Sequence, residues 1–423
     1  MGSQDIKAYL QRQKGYIDRT YWILFISLIV VAIIAFFSAS SSLAYKDGAL
    51  APIGRQMLFL LVGVALVCVV QFVPSKWIRL LAYPGLLISF VLLLLTFTRF
   101  GVTRNGAARW IELAGIEFQP SELAKLCLII VVSDLLSRIK TAKDEKKYFF
   151  IVLGVTILIC APIFPSNLST TLLLGIIVFL LLFLAKVHIK YWGTTVGIAI
   201  VLLIGGYFLV EYAYIKPGRE VRGVMRRAVT WVGRVDDMLA GDDDPNKTYV
   251  ITDDNIQQAY AKVAIARGGK SPVGVLPGNS TVRDYLPLAF ADYIFAIIVE
   301  ETGVCGAIVL ILLYMAILFR ACYTSSRYAD YSAMLMVMGL ALMITCQALI
   351  SMLVVVGIGP VTGQPLPMIC RGGTSVLVTS LYFGIIMGVA REQNELQARQ
   401  QATQQTSWED VPDIHIDDSI TKQ

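Results

Sequence analysis

Ten apolar runs, each roughly 16 to 28 residues long, divide this chain, and no other feature restricts its fold so severely. They occupy residues 21–39, 57–73, 80–97, 119–136, 149–164, 168–184, 191–210, 292–319, 331–356 and 374–390. A run of that length crosses ~30 Å of hydrocarbon as a helix, the one open segment that satisfies its own backbone there. Composition agrees: 56% of the 423 residues are hydrophobic, 16% are charged and the mean hydropathy is +0.68, which excludes a set of soluble globular domains. The reading is an all-α polytopic membrane protein of ten transmembrane helices, with one large external loop between helices 7 and 8. The formal charge of +6 is spread along the chain, and no nucleic-acid partner is expected.

Lysine and arginine placement orients the spans. Lys7, Arg12, Lys14 and Arg19 precede the first, and Lys76 with Arg79, Arg138 through Lys147, Lys186 with Lys190, and Arg320 with Arg327 follow the even-numbered ones. By the positive-inside rule both termini are cytoplasmic. The loop after span three is the exception, with Arg99, Arg104 and Arg109 outside; it serves either an anionic ligand or ion pairs with the nearby Glu112 and Glu117. The first span is too long for a cleavable signal, and Ile6 stands where a myristoylation signal wants Ser or Thr.

Three regions follow: a cytoplasmic segment 1–20, a membrane domain 21–390 that includes the external loop 212–291, and a tail 391–423. In the loop, Arg219, Arg222, Arg226, Arg227 and Arg234 recur around Trp231 at near-helical spacing, as a basic amphipathic helix or a solvated face. The acidic patch at Asp236, Asp237 and Asp242–Asp244 resembles a calcium loop only loosely, because Lys247 replaces the turn glycine. Ile256 to Ala266 reads as a short helix stopped by Gly268-Gly269. The tail, rich in glutamine and then acidic, has too little apolar content to fold alone and reads as disordered. Seven cysteines in or beside spans form neither a disulfide framework nor a metal spacing.

Three constellations border the external face. Gln119-Pro-Ser-Glu122-Leu-Ala-Lys125 opens a helix with proline in its first turn and sets Glu122 and Lys125 on one face, where intramembrane ions pair or line a watery cavity. Asp292 stands where the long loop enters an apolar run, as a reactive carboxylate or as a helix cap. Gly357 to Ser375, rich in Pro and Gly and containing Arg371, is irregular backbone at membrane depth, tolerated only under cover of protein or around water. With His188 and His415 both assigned to the cytoplasmic side, acid–base work at the loop falls to carboxylates.

Taken in order, Asn105-Gly-x-x-Arg109-Trp110, Gln119-Pro-Ser-Glu122-Leu-x-Lys125, Leu286-Pro287 with Asp292-Tyr-Ile-Phe-Ala, Glu300-Glu301-x-Gly303, Pro360 to Gly363, Leu366-Pro367 and Gly372-Gly373-Thr-Ser375 resemble the SEDS proteins of bacterial cell-wall synthesis, the FtsW and RodA group. The resemblance implies a peptidoglycan glycosyltransferase that polymerises lipid II into glycan strands. It also implies a class B penicillin-binding protein and other division proteins as partners, and the bacterial inner membrane, at the septum, as location. It makes Asp292 the essential aspartate and Glu122 with Lys125 the cavity pair. The chain departs from the family where Leu288, Phe290 and Ala291 replace Glu, His and Thr, and where Cys370-Arg371 and Pro165-Ser-Asn167 replace the usual Ser-Tyr and Pro-Asp. The division-type member is favoured over the elongation type by Asn-Gly-Ala-x-Arg-Trp-Ile and the long tail.

Joining a sugar hydroxyl to an anomeric carbon that carries a lipid pyrophosphate needs a base and cations for the leaving group. Asp292 is the candidate base, and Arg109, Glu122, Lys125 and Arg371 are the candidate substrate-binding residues, arginine and lysine suiting phosphate. No closed set of metal ligands is visible, although a Mg²⁺ or Mn²⁺ ion would suit the chemistry. Two rivals remain, a transporter or flippase, which wants charged sites at the midplane in discontinuous helices of two related halves, and a scaffold without activity.

Overall fold

The computed structural model describes residues 17–47, 50–104, 107–113, 116–215, 228–233, 235–236, 256–282, 285, 292–358, 363–370 and 372–409. A helix stands on each of the ten apolar runs. In chain order these are α1 (Arg19–Asp47), α2 (Leu50–Val70), α3 (Ser75–Leu95), α4 (Pro120–Ser137), α5 (Ala142–Ile163), α6 (Leu168–Leu184) and α7 (Ile189–Val210). After α8 (Ile256–Gly268) come α9 (Ile294–Ser325), α10 (Tyr331–Val356) and α11 (Gly373–Glu409). Eight of these are long and apolar enough to cross a membrane, against ten spans read from the sequence. The remaining two are α4, which carries Glu122, Lys125 and Asp134, and α6, which has 17 residues.

Side-chain caps start several helices. Thr141 accepts from Asp144 N at 3.2 Å, Asn167 from Thr170 N at 3.1 Å and Asp330 from Ser332 N at 2.9 Å, each pairing a donor that the first turn leaves without one. Gly357, at φ 91°, ends α10 in the left-handed conformation that glycine adopts without strain. Helices α4, α10 and α11 form the middle of the bundle: α4 packs on α3, α5 and α10, while α11 packs on α2, α4 and α10. Their side chains are mostly buried, in α11 as far as Arg391, as a helix enclosed by other helices requires. α7 is the opposite, apolar but almost wholly uncovered, and it reaches the rest of the bundle mainly through α6.

Three features differ from the sequence reading. The connection between α3 and α4 is a three-stranded antiparallel sheet, β1 (Gly101–Arg104), β2 (Ala107–Leu113) and β3 (Ile116–Phe118), in an otherwise helical chain. Its register pairs Val102 with Trp110 and Ile111 with Phe118, and the Asn105-Gly106 dipeptide between β1 and β2 is a hairpin signal in sequence. Second, α11 runs on to Glu409, past the start of the tail read as disordered, because Arg391 is buried with its Nε donating to Gln71 O at 3.1 Å and Glu392 accepts from Ser75 N at 2.8 Å. Third, α9 is broken at Gly303, whose φ of 68° and ψ of −163° are not helical.

The break is filled by the chain between α8 and α9. Instead of accepting from within the helix, Glu300 O accepts from Val275 N at 3.0 Å and Glu301 O from Leu276 N at 2.8 Å. In return Val304 N donates to Ser271 O at 3.4 Å and Cys305 N to Pro272 O at 3.1 Å. A side chain at Gly303 would collide with the backbone at Ser271, Pro272 and Gly274, so glycine is required there for space as well as for φ.

Between α7 and α9, α8 falls where the sequence places a short helix, and Trp231 meets the Phe164 ring with centroids 5.3 Å apart. Arg219, Arg222, Arg226, Arg227, Arg234 and the patch Asp242–Asp244 lie outside the described residues, as do residues 410–423.

Candidate functional site

Asp292 stands two residues before α9, half-buried. The cap position belongs to Tyr293 and carries no side-chain cap hydrogen bond, so the helix-cap role open in the sequence is not the one Asp292 fills. Its carboxylate opens on a cavity of about 10 Å³ lined also by Ser351, Val354, Val355, Gly363 and Gln364, about the room of one water molecule. Gly363, at φ 60°, brings the backbone close: a side chain there would begin 3.4 Å from Asp292 Oδ2 and 3.7 Å from Arg109 Nη1.

Arg109 reaches this point from β2, where it is the unpaired residue of a bulge between the Val102–Trp110 and Thr103–Ala108 pairs, and its Nε donates to Ser166 O at 2.7 Å. Burial pushes the Asp292 carboxyl above the ordinary carboxylate range, and the Arg109 guanidinium pulls the other way. A carboxylate raised by desolvation is a better proton acceptor than one in water, which suits a general base.

Glu122 and Lys125 form the expected pair. Lys125 Nζ lies 2.8 Å from Glu122 Oε1 and donates to Gln347 Oε1 at 2.8 Å, with Lys125 0% and Glu122 3% exposed. Gln347 in turn donates to Pro365 O at 3.0 Å. The next turn of α10 repeats the arrangement: Ser351 donates to Gln364 O at 2.9 Å, and Gln364 Nε2 to Thr170 Oγ1 at 2.6 Å. Ser351 and Gln364 line the Asp292 cavity, so the buried pair and the aspartate are joined through residues 363–367 by two glutamines and a serine.

Four of the five site residues read from the sequence are therefore described: Asp292 and Arg109 both approach Gly363, and Glu122 with Lys125 reach residues 363–367 by two successive hydrogen bonds through Gln347. Arg371 lies outside the described residues. Among the described residues the cavity offers one carboxylate beside a guanidinium, and no group of three or more His, Cys, Asp or Glu gathers.

Sequence reasoning missed Gln347, Ser351, Gln364 and Thr170. Gln347 and Ser351, polar and four apart in an apolar helix, carried a signal that they share a face. It also quoted Glu300 and Glu301 without a role. Both are buried: Glu300 Oε2 accepts from Ser280 Oγ at 2.5 Å with Arg267 Nη1 at 3.2 Å from Oε1, and Glu301 Oε1 accepts from Ser38 Oγ and from Gly278 N at 3.1 Å. They hold residues 278–280 against α1 and α9.

Residues 18–395 match the model of the FTSW_RODA_SPOVE family, described as cell cycle proteins. The chain is 26% identical over 380 residues to a peptidoglycan glycosyltransferase MrdB of Escherichia coli strain K12, covering 89% of this chain and 94% of the relative. It is 28% identical over 382 residues to a protein named probable peptidoglycan glycosyltransferase FtsW of Enterococcus hirae, covering 87% and 91%. A solved peptidoglycan synthase complex, described as coordinating polymerization and crosslinking, shares the fold with a TM-score of 0.69 at 23% identity, over 89% of this chain and 98% of its own. The family match spans nearly the whole membrane bundle and includes Arg109, Glu122, Lys125 and Asp292, and the chain belongs to the FtsW/RodA/SpoVE family of cell cycle proteins.

Proposed function

We propose that this chain is a peptidoglycan glycosyltransferase of the inner membrane that polymerises lipid II into glycan strands. Relatives of both the MrdB and FtsW names carry that activity in their names. The observation that carries the reading is the juxtaposition at Gly363 of a desolvated carboxylate and a guanidinium, Asp292 and Arg109. Asp292 takes the proton of the acceptor sugar hydroxyl as its oxygen bonds to the anomeric carbon of the donor. The bond from that carbon to the undecaprenyl pyrophosphate breaks, and the departing oxygen takes the electron pair. Arg109 and Lys125 are the cations for the pyrophosphate, with Arg371 a third, and Glu122 keeps Lys125 in place.

Both termini are assigned to the cytoplasm and Asp292 to the outer face. A class B penicillin-binding protein is the proposed partner, in keeping with the polymerization and crosslinking ascribed to the structural neighbour. The division role is preferred to the elongation role on the Asn105 to Ile111 pattern, with the septum as location and other division proteins as further partners. The broken helix α9 gives the transporter reading one observation, since carriers build sites from discontinuous helices. Here the break is filled by backbone and its two acids bind the external loop, which favours the polymerase.

Asp292→Asn tests the proposal. It keeps size and removes basicity, so glycan synthesis from lipid II by purified protein with its transpeptidase should fall by roughly 10² to 10⁴, about 3 to 5 kcal/mol in barrier, with insertion and partner binding intact. Synthesis at the parent rate would exclude Asp292 as the base.

A further inference from the structure

A second cavity, far larger than the one at Asp292, opens at the other end of the bundle. It measures about 340 Å³ and lies where the start of α1, the end of α9 and the extension of α11 converge. Its lining is polar and basic: Arg19, Arg320 and Arg327 against a single carboxylate, Asp18, for a formal charge of +2 from three arginines and one aspartate. That carboxylate is already satisfied, with Oδ2 accepting from Arg320 Nη2 at 2.6 Å and Nε at 3.0 Å, and Oδ1 from Thr20 N at 2.9 Å.

Two of the three arginines, Arg320 and Arg327, are held in place before any ligand arrives. The Tyr323 ring has the Arg320 guanidinium 5.4 Å and the Arg327 guanidinium 4.2 Å from its centroid, and Arg327 also donates to the Tyr323 hydroxyl. The Tyr328 hydroxyl is buried beside Thr324, whose own hydroxyl is engaged with Tyr21 at 2.9 Å, and it makes no well-formed hydrogen bond among the described residues. Burial pushes that phenol up to about 12, so it remains a donor at neutral pH.

Guanidinium groups in a fixed fork and a buried hydroxyl donor are what a phosphate oxygen accepts from. The volume falls within the range of small-molecule pockets, and the cavity sits between the start of α1 and the end of α9. We propose that this cavity binds the phosphodiester head group of an anionic phospholipid. The assignment to the cytoplasmic leaflet rests on the orientation given under the proposed function; the binding itself does not.

The experiment is native mass spectrometry of the full-length protein in neutral detergent, with phosphatidylglycerol, cardiolipin or phosphatidylcholine added. The parent is compared with the double variant Arg19→Gln, Arg327→Gln, both positions being exposed. The parent should retain the two anionic lipids in clear preference to phosphatidylcholine. Each guanidinium removed should weaken retention about fivefold, roughly 25-fold for the pair, the factor that ~1 kcal/mol per basic residue gives. Equal retention of phosphatidylcholine by the parent, or unchanged retention of anionic lipid by the double variant, overturns the proposal. An arm with inorganic phosphate and no lipid separates the sources: stabilisation of the parent but not the variant by phosphate alone, with lipid adducts the same in both, assigns the cavity to a soluble anion and sinks the lipid reading. Because binding is read in detergent and without substrate, a failed polymerase assay or a reversed orientation leaves this result interpretable.

Discussion

Lys125→Met removes the one cation in contact with the Glu122 carboxylate among the described residues, at a site where neither side chain meets solvent. Two contacts disappear together, the 2.8 Å ion pair and the 2.8 Å hydrogen bond to Gln347 Oε1. Breaking a buried pair costs about 3 to 5 kcal/mol because the surviving charge stays unpaired. Replacing both partners, as Glu122→Leu with Lys125→Met, takes the uncompensated charge away but leaves Gln347 Oε1 without its donor, a cost of about 1 to 3 kcal/mol. Both variants leave Gln347 Oε1 without its donor, so that cost cancels and the double variant should be about 3 to 5 kcal/mol more stable than the single one, a reversal that a simple sum of two losses never gives. Cys127, 5% exposed on the same helix, and Cys370, 2% exposed beside the cavity segment, report on opening. Their alkylation in detergent should accelerate by roughly 10² to 10⁴ in Lys125→Met and by much less in the double variant, since each 1.4 kcal/mol is a factor of ten. Peptide-resolved mass spectrometry keeps Cys68, Cys305 and Cys322, which are exposed, out of the measurement. Parent-like alkylation of Lys125→Met, or a double variant as loose as the single, refutes the ion-pair reasoning.

Gly303→Ala should loosen the packing of residues 269–280 on α9, at ~1–2 kcal/mol for the left-handed φ alone and more for the collision with Pro272 and Gly274; limited proteolysis of that loop should quicken, and an unchanged digest would count against the required break. Asp292 must be ionised to act as a base, so activity is lost as pH falls through its raised pKa; Arg109→Gln removes the influence that lowers that pKa, and the acid limb of the rate profile should move to higher pH rather than lower. A reporter fused after Arg391 should behave as cytoplasmic and one inserted near Asp243 as external, and an external tail would overturn the orientation.

Length and hydropathy located the helices, because each lipid-facing helix must be apolar along its own sequence. They could not show the sheet between α3 and α4, whose strands of 4, 7 and 3 residues are too short for a periodic signal. Nor could they show the break in α9: Gly303 is one glycine in an apolar run, and the backbone that fills the gap comes from Ser271 to Leu276. The site divides in the same way. Asp292, Glu122 and Lys125 stood out as charges in apolar surroundings, whereas Gln347 and Gln364 are neutral, and their role as links depends on helices α4 and α10 lying side by side. Glu300 and Glu301 were conspicuous as acids, but the serine and backbone partners that explain them lie 20 or more residues away in sequence.

A continuous helix has a phase: each residue inserted or deleted turns everything beyond it by about 100°. In α9 that rule stops at Gly303. Residues 294–302 are held by the loop ladder at Val275 and Leu276, by the carboxylates of Glu300 and Glu301 and by their own burial, while residues 304–325 are tied to α10 where Thr345 donates to Tyr314 O at 3.2 Å and to the start of α1 where Arg320 pairs with Asp18. An insertion in the second part would rotate Leu310, Tyr314 and Ile317 off their buried face and leave the direction of Asp292 as it is. Asp292, the candidate base, thus stands apart from the helical phase of residues 304–325, which reach the segment beside its cavity through Tyr314, whose hydroxyl donates to Pro367 O at 2.6 Å.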